Sequence, residues 1–156
     1  METWELEEKA AQYADMIYRI ALNDTGSPPD AEDILQEVLL ALFLSPLSFE
    51  SREHEKRWLI RVTLNKGKNH RRTLLRRAAL PLEEAEDCCV SQAPEHIALR
   101  AAVAALPRKW RRAVDLYYYE GYSTAETAAL LGAKEPTVRT WLRRARIRLK
   151  DLLAEE

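Results

Sequence analysis

The stretch STAETAALLGAKEPTVRTWLRRAR, Ser123 to Arg146, reads as two helices joined by a tight turn. Ser123 is placed to N-cap the first, and Glu126 three residues on completes a capping-box spacing. Ala125, Ala128, Ala129 and Leu131 give that helix a small apolar inner face. Gly132 ends it, because glycine enters the left-handed conformation without a Cβ penalty. After a short turn, Pro136 falls in the first turn of a second helix, where its missing N–H is tolerated. Val138, Trp141, Leu142 and Ala145 form an inner stripe, while Arg139, Arg143, Arg144, Arg146 and Arg148 crowd the outside. This is the pattern of a DNA-binding helix-turn-helix. A small Ala128 lets the helices cross closely, Val138 plugs the angle between them, and the arginines supply charge for phosphates and forked donors for guanine edges. A basic amphipathic helix alone is commonly just a solvated face. The cap, the small residue, the turn glycine and the basic second helix together set this segment apart.

The chain has 156 residues, 47% of them hydrophobic, enough for one ordinary domain or two small ones. No apolar run is long enough to span a membrane. The acidic start METWELEEKA is unlike a signal peptide, so a cytoplasmic protein is expected. The net charge of -1 hides a segregation. Residues 1–50 carry 2 basic and 11 acidic side chains, residues 51–80 carry 10 and 2, residues 81–106 carry 1 and 5, and residues 107–156 carry 11 and 7. Two basic blocks separated by an acidic one suggest two contacts with a polyanion and a linker that avoids it. Cys88 and Cys89 are adjacent, with no second pair at metal spacing, and are read as reduced thiols.

In chain order, Thr3 to about Leu22 reads as a helix with Leu6, Ala10, Tyr13, Ile17 and Ile20 on one face. Asn23–Pro29 is a turn by composition, and Asp30 is expected to cap a second helix with Asp33 at its third position. Ile34, Leu35, Val38, Leu39 and Leu42 build the apolar face of that helix, and Ser45-Pro46 ends it. A polar loop over residues 45–54 holds one aromatic, Phe49, which a purely structural reading would tuck onto the core. A basic helix from about Glu55 to Arg77 follows. Trp58, Leu59, Val62 and Asn65 point inward or along one side, and Arg57, Arg61, Lys66, Lys68, Arg71, Arg72, Arg76 and Arg77 lie outside. Gly67 inside it costs about 1 kcal/mol against alanine, which calls for close packing or flexibility. Residues 78–93 form an acidic linker. Pro94 opens a helix to about Leu106 with Ile97, Ala101 and Ala104/Ala105 inward. Another helix runs from Arg108 to Glu120, and its three successive tyrosines, Tyr117–Tyr119, cannot share one face. The fold class is therefore all-α, two small helical domains over 1–77 and 94–156 joined by the linker. His54, His70 and His96 are scattered, His70 reading as one more basic-face residue, and there is no glycine-rich phosphate loop or catalytic set. No catalytic residue, metal, cofactor or small-molecule substrate is expected.

Three segments resemble the extracytoplasmic-function, or group IV, sigma factors of bacterial RNA polymerase. DAEDILQEVLLALF (Asp30–Phe43) is similar to the family's polymerase-binding helix, RWLIRVTLNKGKNHRR (Arg57–Arg72) to its tryptophan-led basic helix, and Ala105–Leu149 to its C-terminal helix-turn-helix domain. The resemblance implies a three-helix N-terminal domain of the sigma region 2 type and a four-helix C-terminal domain of the region 4 type. It implies that Asp33, Gln36 and Glu37 bind core RNA polymerase. It implies that Phe49, Arg61, Asn65, Lys66, Arg71 and Arg72 recognise and melt the minus-ten promoter element, a flipped base being held at the Phe49 loop. Glu135, Thr137, Arg139, Thr140, Arg143 and Arg144 would meet minus-thirty-five DNA in the major groove. Partners implied are core polymerase, promoter DNA and an anti-sigma factor, since no regulatory domain follows the helix-turn-helix.

Several positions depart from the family pattern. Glu55 stands where an apolar or aromatic residue is usual, Pro136 where glycine is frequent, and Trp141 where a polar or basic residue is frequent. Two rival readings are a conventional helix-turn-helix regulator, which would dimerise on a palindrome, and a sigma-like decoy that occupies polymerase without initiating. The absence of a dimerisation segment speaks against the first, and the presence of Phe49, Asn65 and the basic helix against the second.

Overall fold

The computed structural model describes residues 2–45, 48–76 and 94–154, with side chains at 74–76 and 94–97 left out of account. The acidic linker with Cys88 and Cys89, and Arg77, lie outside the described residues. All described elements are helical: α1 (Thr3–Thr25), α2 (Pro28–Leu44), α3 (Arg52–Arg76), α4 (Pro94–Ala104), α5 (Arg108–Val114) continuing as a π-turn (Asp115–Tyr119), α6 (Thr124–Leu131) and α7 (Glu135–Ala154). The chain divides into two compact units, Met1–Asp87 and Cys88–Glu156.

In the first unit α1, α2 and α3 pack on one another. Glu2 and Glu5 form a capping box at the start of α1, and Gly26, at φ 70°, ends it with its N–H on the Leu22 carbonyl. Only glycine takes that backbone freely. The cap of α2 is Ser27, not Asp30: the Ser27 hydroxyl accepts from the Asp30 N–H, and Pro28 and Pro29 occupy the first turn. Two prolines with no N–H to satisfy move the start back by three residues. Asp30 remains in the first turn, where the helix dipole favours a carboxylate, and Asp33 is the sixth helical residue rather than the third. The core is Ile17, Ile20, Ile34, Val38, Leu42, Leu59 and Ile60, all buried, each stabilising the fold by about 1.5–3 kcal/mol.

The inner face of α3 differs from the expected one. Glu55, Leu59, Ile60, Thr63, Leu64 and Gly67 are buried, while Trp58 and Val62 are half-buried and Asn65 is exposed. A glutamate, a threonine and a glycine on the core face conceal it from a hydrophobicity pattern. Each has a partner that permits burial. Thr63 donates to the Leu59 carbonyl at 2.7 Å. Gly67 gives room to α1: a Cβ there would stand 2.1 Å from Oδ2 of the buried Asp24.

In the second unit α4, α5 and α6 pack on α7. Leu106, Ala113, Val114, Ala128, Val138, Leu142 and Ala145 are its buried core, with Trp110, Tyr117, Leu131 and Trp141 packed against it. On α4 the inward residues are Ala102, Val103 and Leu106, whereas Ala101, Ala104 and Ala105 are exposed. Tight i→i+3 bonds from Ala105 to Ala102 and Leu106 to Val103 turn the end of the helix and bring Leu106 in. On α6 the inward residues are Thr127, Ala128 and Leu130, not Ala125 and Ala129, which are exposed. Alanine-rich helices carry too little contrast for the face to be read. The helix expected over 108–120 turns π-helical at Asp115, where the Glu120 N–H reaches back five residues to the Asp115 carbonyl. That wider turn leaves Tyr118 and Tyr119 exposed and Tyr117 half-buried.

Gly67→Ala should lower stability by about 1–3 kcal/mol through overpacking against Asp24, despite a helix-propensity gain of about 1 kcal/mol. Urea unfolding followed by circular dichroism measures it, and a midpoint at or above wild type would contradict the packing explanation.

Candidate nucleic-acid interface

The turn between α6 and α7 is fixed by polar contacts at both ends. The Glu126 N–H donates to the Ser123 hydroxyl at 3.1 Å, and the Ser123 N–H donates to the Glu126 carboxylate at 3.0 Å, so the expected capping box is present. Gly132 adopts φ 67° as the C-cap, and the Ala133 N–H closes on the Ala128 carbonyl. Glu135 then ties the two helices together: Oε1 accepts from the Thr124 hydroxyl at 2.8 Å and from the Arg139 guanidinium at 2.7 Å. The Thr124 hydrogen bond, then that of Arg139, hold the Glu135 carboxyl below its usual value.

The residues expected to meet minus-thirty-five DNA differ in how free they are. Thr137, Arg139, Arg143 and Arg144 are exposed. Arg139 is pre-positioned by Glu135. The half-buried Thr140 donates its hydroxyl to the Pro136 carbonyl at 3.0 Å, so its proton is committed within the helix. Glu135 serves the turn itself. Arg139, Arg143, Arg146 and Lys150 fall at four- and three-residue steps on one side of α7, a row about 16 Å long. Arg146 donates to the Tyr118 hydroxyl at 3.0 Å, which anchors the row to the π-turn. Trp141 packs against the core of this unit, with the Lys109 ammonium 5.9 Å from its ring centre. Its indole is structural, which accounts for a large aromatic at a position that sequence comparison would reserve for a polar residue.

In the first unit, α3 presents a second row. Trp58, Arg61, Asn65, Lys68 and Arg72 recur at three- and four-residue steps, and Arg61, Asn65, Lys68 and Arg72 are exposed. Arg71, also exposed, flanks it. Lys66 departs from this grouping. It faces α2 and lines a groove of about 440 Å³ with Asp30, Asp33, Glu37, Asn69, His70 and Thr73. His70 does not simply add to the basic face: its Nε2 lies 3.4 Å from the Glu37 carboxylate. Of the residues expected to bind polymerase, Asp33 and Gln36 are exposed and Glu37 is half-buried.

Phe49 packs at the head of the α3 row. Its ring centre is 5.5 Å from that of His54 and 5.5 Å from that of Trp58. The Glu50 N–H donates to His54 Nδ1 at 3.2 Å, and the His54 N–H donates to the Ser51 hydroxyl at 3.0 Å, so the loop is stitched to the first turn of α3. Below it, Glu55 is buried and pairs with the Lys9 ammonium from α1. The Tyr13 hydroxyl also hydrogen-bonds Glu55; burial first, then that bond, push the phenol up to about 12. Lys9 Nζ lies 5.9 Å from the centre of the Phe49 ring. Lys9 and Tyr13 were not legible as part of this site, because nothing in the sequence ties them to a residue more than 40 positions away.

Two helical units, each displaying a basic row and one carrying a helix-turn-helix, define a nucleic-acid-binding protein. Residues 10–78 match the family model of Sigma-70 region 2, and residues 96–149 match that of Sigma-70 region 4. The ECF RNA polymerase sigma factor SigE of Mycolicibacterium smegmatis is 36% identical over 99% of this chain, which spans 63% of that protein's length, just under two thirds. The ECF RNA polymerase sigma factor SigM of Mycobacterium tuberculosis is 32% identical over 88% of this chain and 71% of its own. The solved structure of the sigma factor RpoE of Bartonella quintana, in complex with the anti-sigma factor NepR, shares the fold, with a TM-score of 0.83 at 22% identity over 96% of this chain and 97% of that one. The chain belongs to the ECF RNA polymerase sigma factor family.

Because the Thr124 and Arg139 hydrogen bonds hold the folded Glu135 carboxyl below its ordinary value, the unfolded chain takes up its proton first as pH falls. The stabilisation is present above that value and is lost as pH drops through the folded one. Glu135→Gln should therefore be less stable than wild type at neutral pH, and the gap should close in acid. Thermal melts across pH 7 to 3 test this, and a gap independent of pH would mean that the carboxylate charge does not lock the turn.

Proposed function

We propose that this protein is a promoter-specificity subunit that binds core RNA polymerase, reads two promoter elements and opens one of them, without catalysing a reaction itself. The observation that carries this reading is the pairing of each basic row with its own family region. The α3 row, headed by Phe49, lies within the region 2 match, and the α7 row within the region 4 match. Region 2 is assigned to residues 1–77 and region 4 to 94–156, with 78–93 as linker. Asp33, Gln36 and Glu37 on α2 are assigned to the polymerase. Phe49, Arg61, Asn65, Arg71 and Arg72 are assigned to the unwound minus-ten strand, where an aromatic face and a cationic row suit flipped bases and phosphates. Lys66, which lines the α2–α3 groove with Asp30, Asp33 and Glu37, serves the strand less directly. Thr137, Arg139, Thr140, Arg143 and Arg144 are assigned to minus-thirty-five DNA, with Glu135 orienting Arg139. An anti-sigma protein is a further partner, as RpoE of B. quintana has in NepR. The working compartment is the cytoplasm, where polymerase and promoter reside; no described helix is long and apolar enough to cross a membrane.

Reconstitution with bacterial core polymerase lacking any other sigma, followed by sequencing of RNA starts from a genomic DNA pool, tests the whole reading. Discrete starts sharing two spaced upstream motifs are expected. Core binding without specific starts would instead make the protein a decoy, and footprints on free DNA without core binding would make it an ordinary regulator. The division of labour has its own test. Arg143→Ala should weaken minus-thirty-five binding by about 1–3 kcal/mol if it makes a bidentate base contact, with core affinity unchanged. Gln36→Ala with Glu37→Ala should weaken core binding and leave minus-thirty-five DNA affinity intact. Loss of the same activity by both variants would refute the assignment.

A further inference from the structure

Glu55 is 6% exposed, and burying its charge is costly unless a partner offsets the desolvation. Its partners come from α1: the Lys9 ammonium and the Tyr13 hydroxyl. Lys9 has a second neighbour. Its ammonium stands 5.9 Å from the centre of the Phe49 ring, within the range of a cation–π contact, and the lysine side chain is 30% exposed against 8% for that of Glu55. The same cation therefore touches the buried acid on one side and the loop aromatic on the other. Phe49 also meets the His54 ring edge-on and the Trp58 ring at a tilt, and its loop is hydrogen-bonded to the first turn of α3. The apolar core of this unit, with Ile17, Ile34, Leu42, Leu59 and Ile60 fully buried, is built from other residues.

We propose that Lys9, tethered by the buried Glu55, is a positioning residue for Phe49: it fixes the ring that receives the unwound promoter base. This rests on the assignment of Phe49 to minus-ten opening. Glu55 holds the ammonium in place, Tyr13 satisfies a remaining lone pair of the carboxylate, and the ammonium holds the ring.

A charge pair and a positioning device predict different outcomes when both charges are removed. Lys9→Met alone strands a buried carboxylate and should destabilise the fold. Lys9→Met combined with Glu55→Leu removes both charges at similar volume and should restore thermal stability. Reconstituted holoenzyme on a consensus promoter found by the start-site experiment is then assayed by permanganate reactivity of unpaired minus-ten thymines. The double variant should fold as wild type, bind core polymerase and minus-thirty-five DNA normally, and open the promoter roughly 3- to 30-fold less well, the range that a cation–π contact supports. Lys9→Arg, which keeps the cation, should retain most of the opening. Lys9→Met with Glu55→Leu added to Phe49→Ala should produce no further defect beyond that of Phe49→Ala. Wild-type opening by the stable double variant, while Phe49→Ala is defective, would overturn the positioning role alone. Normal opening by Phe49→Ala would overturn the underlying assignment of Phe49.

Discussion

The first unit depends on the way α1 meets α3 through polar groups rather than through hydrocarbon alone. Lys9 and Tyr13 meet Glu55, and fifteen residues beyond Lys9, Asp24 meets the bare backbone at Gly67. The two helices therefore run the same way, pinned near both ends of one α3 face, with Leu59, Ile60, Thr63 and Leu64 buried between the pins. A purely apolar seam is tolerant of sliding and rotation, since it is non-directional. A helix approach that admits no Cβ, as at Gly67, is not. It fixes the rotation of α3, and the rotation of α3 decides which of its many basic residues form the exposed row and which, like Lys66, turn toward α2.

The second unit solves the same problem with a different device. The faces of α6 and α4 are rich in alanine and carry little rotational information, so the geometry of the helix-turn-helix is set at its corners. Ser123 and Glu126 start α6, Gly132 turns the chain, and Glu135 joins Thr124 to Arg139 across the turn. The last contact is economical in another sense: a carboxylate in the first turn of α7 sits at the favourable end of the dipole and also orients the first arginine of the basic row. Further along that row, the π-turn brings Tyr118 out to meet Arg146. The basic row is thus held at its first and third members by groups that are not themselves basic.

Both units use acids to orient neighbouring bases. Glu135 faces Arg139, Glu37 faces His70, and Glu55 faces Lys9. In the segregated charge pattern of the chain these acids look like exceptions within basic neighbourhoods or members of an acidic block. In the folded units they are the fixed points from which cations are aimed. Trp141 is the apolar counterpart, a large side chain on the recognition helix that packs inward against the core of its unit.

The all-α class, the element order, the capping box at Ser123, the turn at Gly132 and the basic character of α3 and α7 were determined by the sequence. These are local properties: a cap, a left-handed glycine or an arginine-rich helix is defined by residues within a few positions of one another. The core faces of α3, α4 and α6 were decided by the tertiary structure, because a face built from Glu55, Thr63 and Gly67, or from alanines on every side, has no hydrophobic period to read. So were the start of α2 at Ser27, where two prolines outweighed Asp30, and the π-turn at Asp115, for which the sequence carries no local signal. The cluster of Lys9, Tyr13, Phe49 and Glu55 exists only once α1 lies along α3, since its members acquire their meaning from contacts that span some forty positions of chain.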